Sequence, residues 1–211
     1  GKIVSNHEAW GCDFVDTWET IDEYWQWLKP FIAEMSRVMK DDSNMILFLD
    51  RKYTGYIAYE IEKSFPELNF KNKVYFEKVN PMPSLRKNNY RSSVEEAIWF
   101  SKGKATFNFG SQSDMVQVYK GSIGRKTTEH PTEKYKWMIY PLIKNHTHEG
   151  QIILDPFSGS SSTLAYAKEL GRSSIGFELN SKFYDMGMKR LGLDTFTIQE
   201  STNEECFLKV A

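Results

Sequence analysis

The ten residues Leu154–Thr163, LDPFSGSSST, have the composition of a turn that a ligand can approach at its backbone. The apolar run QIILD (151–155) before them has the length of a buried strand, and residues 163–170, ended by Gly171, suit a helix. Small side chains between strand and helix remove bulk from the turn. The first turn of the helix also presents N–H groups that have no intrahelical partner. Downstream of Gly159, at the end of the next candidate strand SIGFE (174–178), stands Glu178. A carboxylate in that place can accept hydrogen bonds from both hydroxyls of a ribose. A tight turn beside a surface glutamate would read the same way residue by residue. Strand, turn, helix and acid in this order favour a nucleoside cofactor. Only one glycine lies inside the turn, which disfavours a dinucleotide, whose fingerprint uses three.

Two further segments carry candidate chemistry. HPTEK (130–134) is a helix start by itself, with Pro131 suited to a first-turn position and Glu133 to the positive end of the helix dipole. SLRKNNYR (84–91) is a basic loop. Arg86, Lys87 and Arg91 can neutralise phosphates, Asn88 and Asn89 can read adenine edges, and Tyr90 can stack on an unpaired base. A solvated hairpin loop would have the same composition, and Lys120, Arg125 and Lys126 carry the same two readings. The net charge of −1 conceals an uneven distribution: residues 71–136 hold 13 Lys/Arg against 6 Asp/Glu. A phosphate-binding face on an otherwise acidic body would have this pattern.

The elements that must position these residues follow from periodicity. Trp18, Ile21, Trp25, Leu28, Ile32, Met35 and Met39 form one helical stripe over 18–39, with Thr20 and Glu23 at capping-box spacing. Pro30 inside it predicts a kink or two shorter helices. Met45–Leu49 has strand length, 53–64 reads as helix, and 73–79 and 94–100 read as strands flanking the basic loop. Residues 102–129 read as a long loop. Beyond it, 133–146 is a predicted helix, followed by a strand, helix, strand and helix over 151–191, a βαβ unit that implies a parallel sheet. With 211 residues, 40% of them hydrophobic, the chain is long enough for a core without metals or disulfides. Cys12 and Cys206 are its two cysteines, with no CxxC spacing, and read as inert thiols. His146 and His148 lack a completing carboxylate or cysteine, so no metal site is expected. The absence of a membrane-length apolar run and the cysteine usage point to a cytoplasmic protein.

HPTEK, the helix after it, DPFSGSSST and GFELN together resemble the β-group amino-methyltransferases of DNA, which act on adenine N6 or cytosine N4. The resemblance extends through RVMKDDSNMILF (37–48), KVNPMP (78–83) and RSSVEEAIWFSKGK (91–104), covers roughly residues 11–191, and looks closest to small adenine-N6 members. It implies a Rossmann-like, mostly parallel α/β sheet that binds S-adenosyl-L-methionine. Residues 1–70 and 130–211 would form the cofactor domain, and 71–129 the basic target-recognition insertion within it. By the same likeness His130, Thr132 and Lys134 lie near the cofactor's carboxylate end. Asp155, Phe157, Ser158, Gly159, Ser160 and Ser161 form its loop, and Glu178 with Asn180 holds its sugar. Double-stranded DNA is the implied partner, a homodimer a further option, and a restriction-modification setting the implied context.

The sequence departs from the family at Ser161, where glycine is usual, at Ser162, where threonine is usual, and at Tyr135, often proline. Ser161 would crowd the turn if that position required a positive φ. The family's Asp-Pro-Pro-Tyr motif, which engages the target amine and stacks on the flipped base, does not occur in these residues; Asn80-Pro81-Met82-Pro83 lacks its aromatic. The likeness begins after the point where that motif should stand. This implies an N-terminally incomplete chain or a degenerate, inactive relative.

Overall fold

A computed structural model describes residues 3–4, 17–85, 87–124, 133–193 and 207–210. The strands in chain order are β1 (Ile3–Val4), β2 (Thr17–Trp18), β3 (Ser43–Phe48), β4 (Leu68–Lys78), β5 (Val94–Lys102), β6 (Val118–Gly121), β7 (Ile152–Asp155), β8 (Ser173–Phe177) and β9 (Phe207–Val210). The helices are α1 (Ile21–Val38), α2 (Thr54–Ser64), α3 (Lys136–His146), α4 (Ser162–Glu169) and α5 (Ser181–Leu191). They divide into two compact units that part between Ile123 and Gly124.

In the first unit the sheet order is β3-β5-β4-β6, antiparallel except for the parallel β4–β6 pair. Helix α1 begins where its sequence says: Thr20 Oγ1 accepts the Glu23 N–H at 3.1 Å, and the Glu23 carboxylate accepts the Glu19 N–H at 2.8 Å. The stripe buries Trp25, Leu28 and Ile32 against Ile57 and Ile61 of α2, Met45 of β3, Leu68 of β4, and Ile98 and Phe100 of β5. Pro30 does not divide α1, which runs as one 18-residue helix through it. Trp25 and Leu28 before the proline and Ile32 after it all enter one core, and that burial outweighs the single lost helical hydrogen bond. The expected loop over 102–129 is interrupted by β6, whose Glu77↔Lys120 register places an ion pair of 3.0 Å across the parallel strands.

The second unit contains the βαβ arrangement expected from sequence. β7 and β8 are parallel, with Asp155 opposite Gly176, and β9 runs antiparallel on the far side of β8. Helix α4 packs so closely on β8 that a Cβ at Gly176 would lie 2.7 Å from Leu164 Cδ2 and 3.1 Å from Ser158 Cβ. Only a residue without a side chain lets helix, turn and strand meet there. Leu164, Met188 and Leu191 join α4 to α5, and α3 buries Met138, Ile139, Leu142 and Ile143. Among the described residues no helix is long and apolar enough to cross a membrane.

Candidate functional site

The β7–β8 register brings both strands to an end at the same edge of the sheet, and the turn 156–161 and Glu178 leave from that edge together. The carboxyl ends of parallel strands are where open α/β sheets hold ligands. The turn is fixed from both sides. The Ser158 N–H and Oγ–H both donate to the Phe177 carbonyl, at 2.9 and 3.1 Å, and the Ser161 N–H donates to the Ser158 carbonyl at 2.7 Å. Glu178 Oε2 accepts the Gly159 N–H at 2.7 Å, while Oε1 accepts the Asn180 N–H at 2.8 Å. Asn180 in turn caps α5, its side-chain oxygen accepting the Phe183 N–H at 3.2 Å.

One carboxylate therefore ties the turn after β7 to the segment after β8. Each of its oxygens has further acceptor capacity, so the group suits a vicinal diol. Phe157 and Leu179 stand exposed at 51% and 73% on either side of these contacts and supply apolar surface. Ser158, Ser160 and Ser161 are buried, and the N–H groups of Ser158, Gly159 and Ser161 are taken up in holding the turn itself. Gly159 at φ 52° and Ser161 at φ 58° both adopt the left-handed conformation. The condition attached to Ser161 in the sequence is met: its φ is positive, and a serine occupies a conformation that favours glycine.

Asp155 ends β7 half-buried, with its carboxylate accepting the Phe157 N–H at 3.2 Å. Burial pushes its carboxyl above the usual aspartate range, and hydrogen bonds from Thr163 and the Phe157 backbone pull partly the other way. The folded chain thus keeps this proton to higher pH than the unfolded chain does. Stability contributed by the site is expected to fall as pH rises from the ordinary aspartate range through the raised value. Asp155→Asn, which retains the acceptor for Phe157, should abolish that slope in denaturant midpoints measured across pH; an unchanged slope would assign it to another group.

A second cluster lies behind the turn, and sequence reading missed it. Glu133, treated there as a helix-start residue, is buried and paired with Arg190 of α5. The same guanidinium donates to Ser162 Oγ, the first residue of α4. Lys134 follows Glu133 and is half-buried. His130, Thr132, Arg86, Arg125 and Lys126 lie outside the described residues.

The basic third is less available than its count implied. Lys73, Lys78 and Lys120 pair with Glu96, Glu95 and Glu77 at 3.5, 2.7 and 3.0 Å. Lys87, Asn88, Asn89, Tyr90 and Arg91 are exposed together on the loop between β4 and β5. His146 is buried on α3, and no group of three potential metal ligands occurs among the described residues.

Comparison with known proteins bears on both segments. A family model described as "DNA methylase", of the N6/N4 type, matches residues 11–189. The Type II methyltransferase M2.DpnII of Streptococcus pneumoniae is 30% identical over 155 residues, 66% of this chain and 58% of the relative. M.HinfI of Haemophilus influenzae, also a Type II methyltransferase, is 27% identical over 219 residues, 90% of this chain and 58% of the relative. The chain thus spans a little over half the length of these curated relatives. Among solved structures, an M1.HpyAVI–SAM complex superposes with a TM-score of 0.73 at 29% identity, covering 82% of this chain and 86% of that one. The cytosine-N4-specific PvuII DNA methyltransferase shares the fold, with a TM-score of 0.68 at 16% identity over 87% of this chain and 73% of that one. The α/β fold is accordingly that of these methyltransferases, and this chain belongs to the DNA methylase family of N6/N4 amino-methyltransferases.

Proposed function

We propose that this chain binds S-adenosyl-L-methionine at the β7–α4 turn and serves site-specific methylation of adenine N6 in double-stranded DNA. The observation that carries the cofactor half is Glu178, whose carboxylate joins Gly159 of the turn to Asn180 beyond β8 at 2.7 and 2.8 Å. That anchoring pre-orients the acid toward a sugar diol and limits the ordering cost of binding. Asp155 and Phe157 would line the crevice, Ser158, Gly159, Ser160 and Ser161 form the compact turn that lets the cofactor approach, and His130, Thr132 and Lys134 would meet the amino-acid end. The complex of the 29% identical relative with SAM supports the same assignment.

When bound, the cofactor supplies an electrophilic sulfonium methyl. The acceptor is an exocyclic amine, itself a nucleophile, so no covalent enzyme adduct is required. What the protein must supply is alignment, exclusion of water and access to the base. For DNA the loop residues Arg86, Lys87, Asn88, Asn89, Tyr90 and Arg91, with Arg125 and Lys126, provide cations, amides and an aromatic ring. Adenine rather than cytosine follows from the likeness to small adenine-N6 members, and a cytoplasmic site of action suits a DNA substrate.

A second reading is a catalytically inactive DNA-binding member of the same family. On that reading the chain holds cofactor and DNA without transferring methyl groups. Calorimetric titration with S-adenosylmethionine tests the cofactor half. Binding is expected, and Glu178→Gln should weaken it roughly ten- to a hundredfold, the value of a charge-assisted hydrogen-bond pair. Absence of heat and of thermal stabilisation in the unaltered chain would refute it. Transfer of labelled methyl to DNA then separates the two readings, and mass analysis of the modified nucleoside separates adenine from cytosine.

A further inference from the structure

The loop between β4 and β5 encloses an open recess of about 510 Å³ lined by Pro81, Asn89, Tyr90, Arg91 and Ser93. Its frame is fastened at several points. Asn80 grips Ile123 through both ends of its amide: the side chain donates to the Ile123 carbonyl at 2.8 Å and accepts the Ile123 N–H at 2.7 Å. Arg91 reaches back across the loop to the carbonyls of Pro81 and Met82, and Arg51 donates to Ser92 Oγ at 3.2 Å. The Tyr90 N–H is held by Asn89 Oδ1 at 2.8 Å. The backbone around Tyr90 is thus pinned, yet its ring is 95% exposed.

A large aromatic ring left in water on a fastened frame offers both of its faces to a stacking partner. The chemistry of the surround selects that partner. Lys87 and Arg91 stand exposed on this loop and residues 79–93 contain no acidic residue, so the rim favours a polyanion. The volume suits one nucleoside, and Tyr90 with Pro81 offers apolar surface for the face of a base.

We infer that this recess takes the base of one unpaired nucleotide of DNA, stacked on Tyr90, while the loop cations hold the flanking phosphates. The inference rests on the DNA reading above and adds to it a single-nucleotide site in the first unit. A base that enters must leave its own stack, so the recess favours DNA in which one nucleotide is already unpaired.

The test compares two short duplexes of one sequence, one fully paired and one carrying a single unpaired 2-aminopurine. Affinity is measured by fluorescence anisotropy, stacking by 2-aminopurine quenching. The chain is expected to prefer the bulged duplex and to quench its probe. Tyr90→Ala should lower that preference roughly 5- to 150-fold and remove the quenching, whereas Tyr90→Phe keeps both. Circular dichroism of Tyr90→Ala should match the parent, since the ring contributes no core. Paired-duplex binding with a preference that Tyr90→Ala does not alter would overturn the recess alone. Failure of the unaltered chain to bind either duplex would overturn the recess and the DNA reading together, and cofactor titration remains a separate measurement.

Discussion

Arg190→Met is expected to lower folding stability by about 3–5 kcal/mol, the range for removing one member of a buried ion pair. Side-chain exposure is 11% for Arg190 and 5% for Glu133, so water cannot replace the lost guanidinium. Methionine fills comparable space, which separates the loss of charge from a cavity effect. Arg190 also donates to Ser162 Oγ, so the substitution strips a partner from the head of α4 as well as from Glu133. Lysine should recover only part of the deficit, because one ammonium cannot replace a planar fork that serves two acceptors. The informative variant is the double one. Arg190→Met with Glu133→Leu removes the orphaned carboxylate and should regain most of the loss. Urea denaturation of the four proteins measures this as a coupling energy. A double variant no better than the sum of its singles would show that the pair does not act as a unit. The clamp ties Glu133, three residues ahead of α3, to the start of α4 and the end of α5, behind the proposed cofactor turn. The single variant should therefore also lose affinity for S-adenosylmethionine under conditions in which it remains folded.

The clamp also marks where sequence reading stops. The strand–turn–helix from Ile152 to Glu169 was legible because its signals are local: an apolar run, small residues and a stop at Gly171. Glu133 and Arg190 lie 57 positions apart, and nothing in either neighbourhood announces the other. β6 was missed for a related reason. VYKG is only four residues long, too short to show a period of its own, and becomes a strand by parallel pairing with β4. The first half of β4 escaped because a register shift between Phe70 and Asn72 breaks the alternation that identifies a half-buried strand. Of the two outcomes that Pro30 allows, a kink or two shorter helices, the second does not occur, because the core holds residues on both sides of it in one helix. The basic third overstated its free charge because Lys73, Lys78 and Lys120 each find a glutamate on a neighbouring strand. Asp155, Phe157, Gly159, Glu178 and Asn180, which motif order singles out, lie together at one edge of the β7–β8 pair.

Ser161→Gly is the second large effect expected, and here the sign is a gain. Ser161 sits at φ 58° and ψ 35°, the left-handed region, where a residue with a Cβ loses roughly 1–2 kcal/mol. It occupies the N-cap of α4, the place where serine ordinarily accepts a hydrogen bond from the first turn, yet its side chain makes no such bond. The usual cap uses an extended backbone, and the left-handed one turns the hydroxyl elsewhere. Its Oγ is fully buried without a hydrogen-bond partner, which costs a further 1–3 kcal/mol or so. Glycine removes both penalties and forfeits about 1 kcal/mol of burial for the missing side chain. The net expectation is a stabilisation of about 1–4 kcal/mol, read as a higher denaturant midpoint. Ser161→Ala separates the two penalties, since it deletes the hydroxyl and keeps the strained backbone. The expected order of stability is glycine, then alanine, then serine. Alanine equal to glycine would place the whole cost in the hydroxyl, and glycine below serine would mean that the hydroxyl is engaged and the conformation unstrained. Because Ser161 closes the turn that Glu178 holds at Gly159, relief of the strain should also tighten S-adenosylmethionine binding, and the same calorimetric titration that tests Glu178 reads that out.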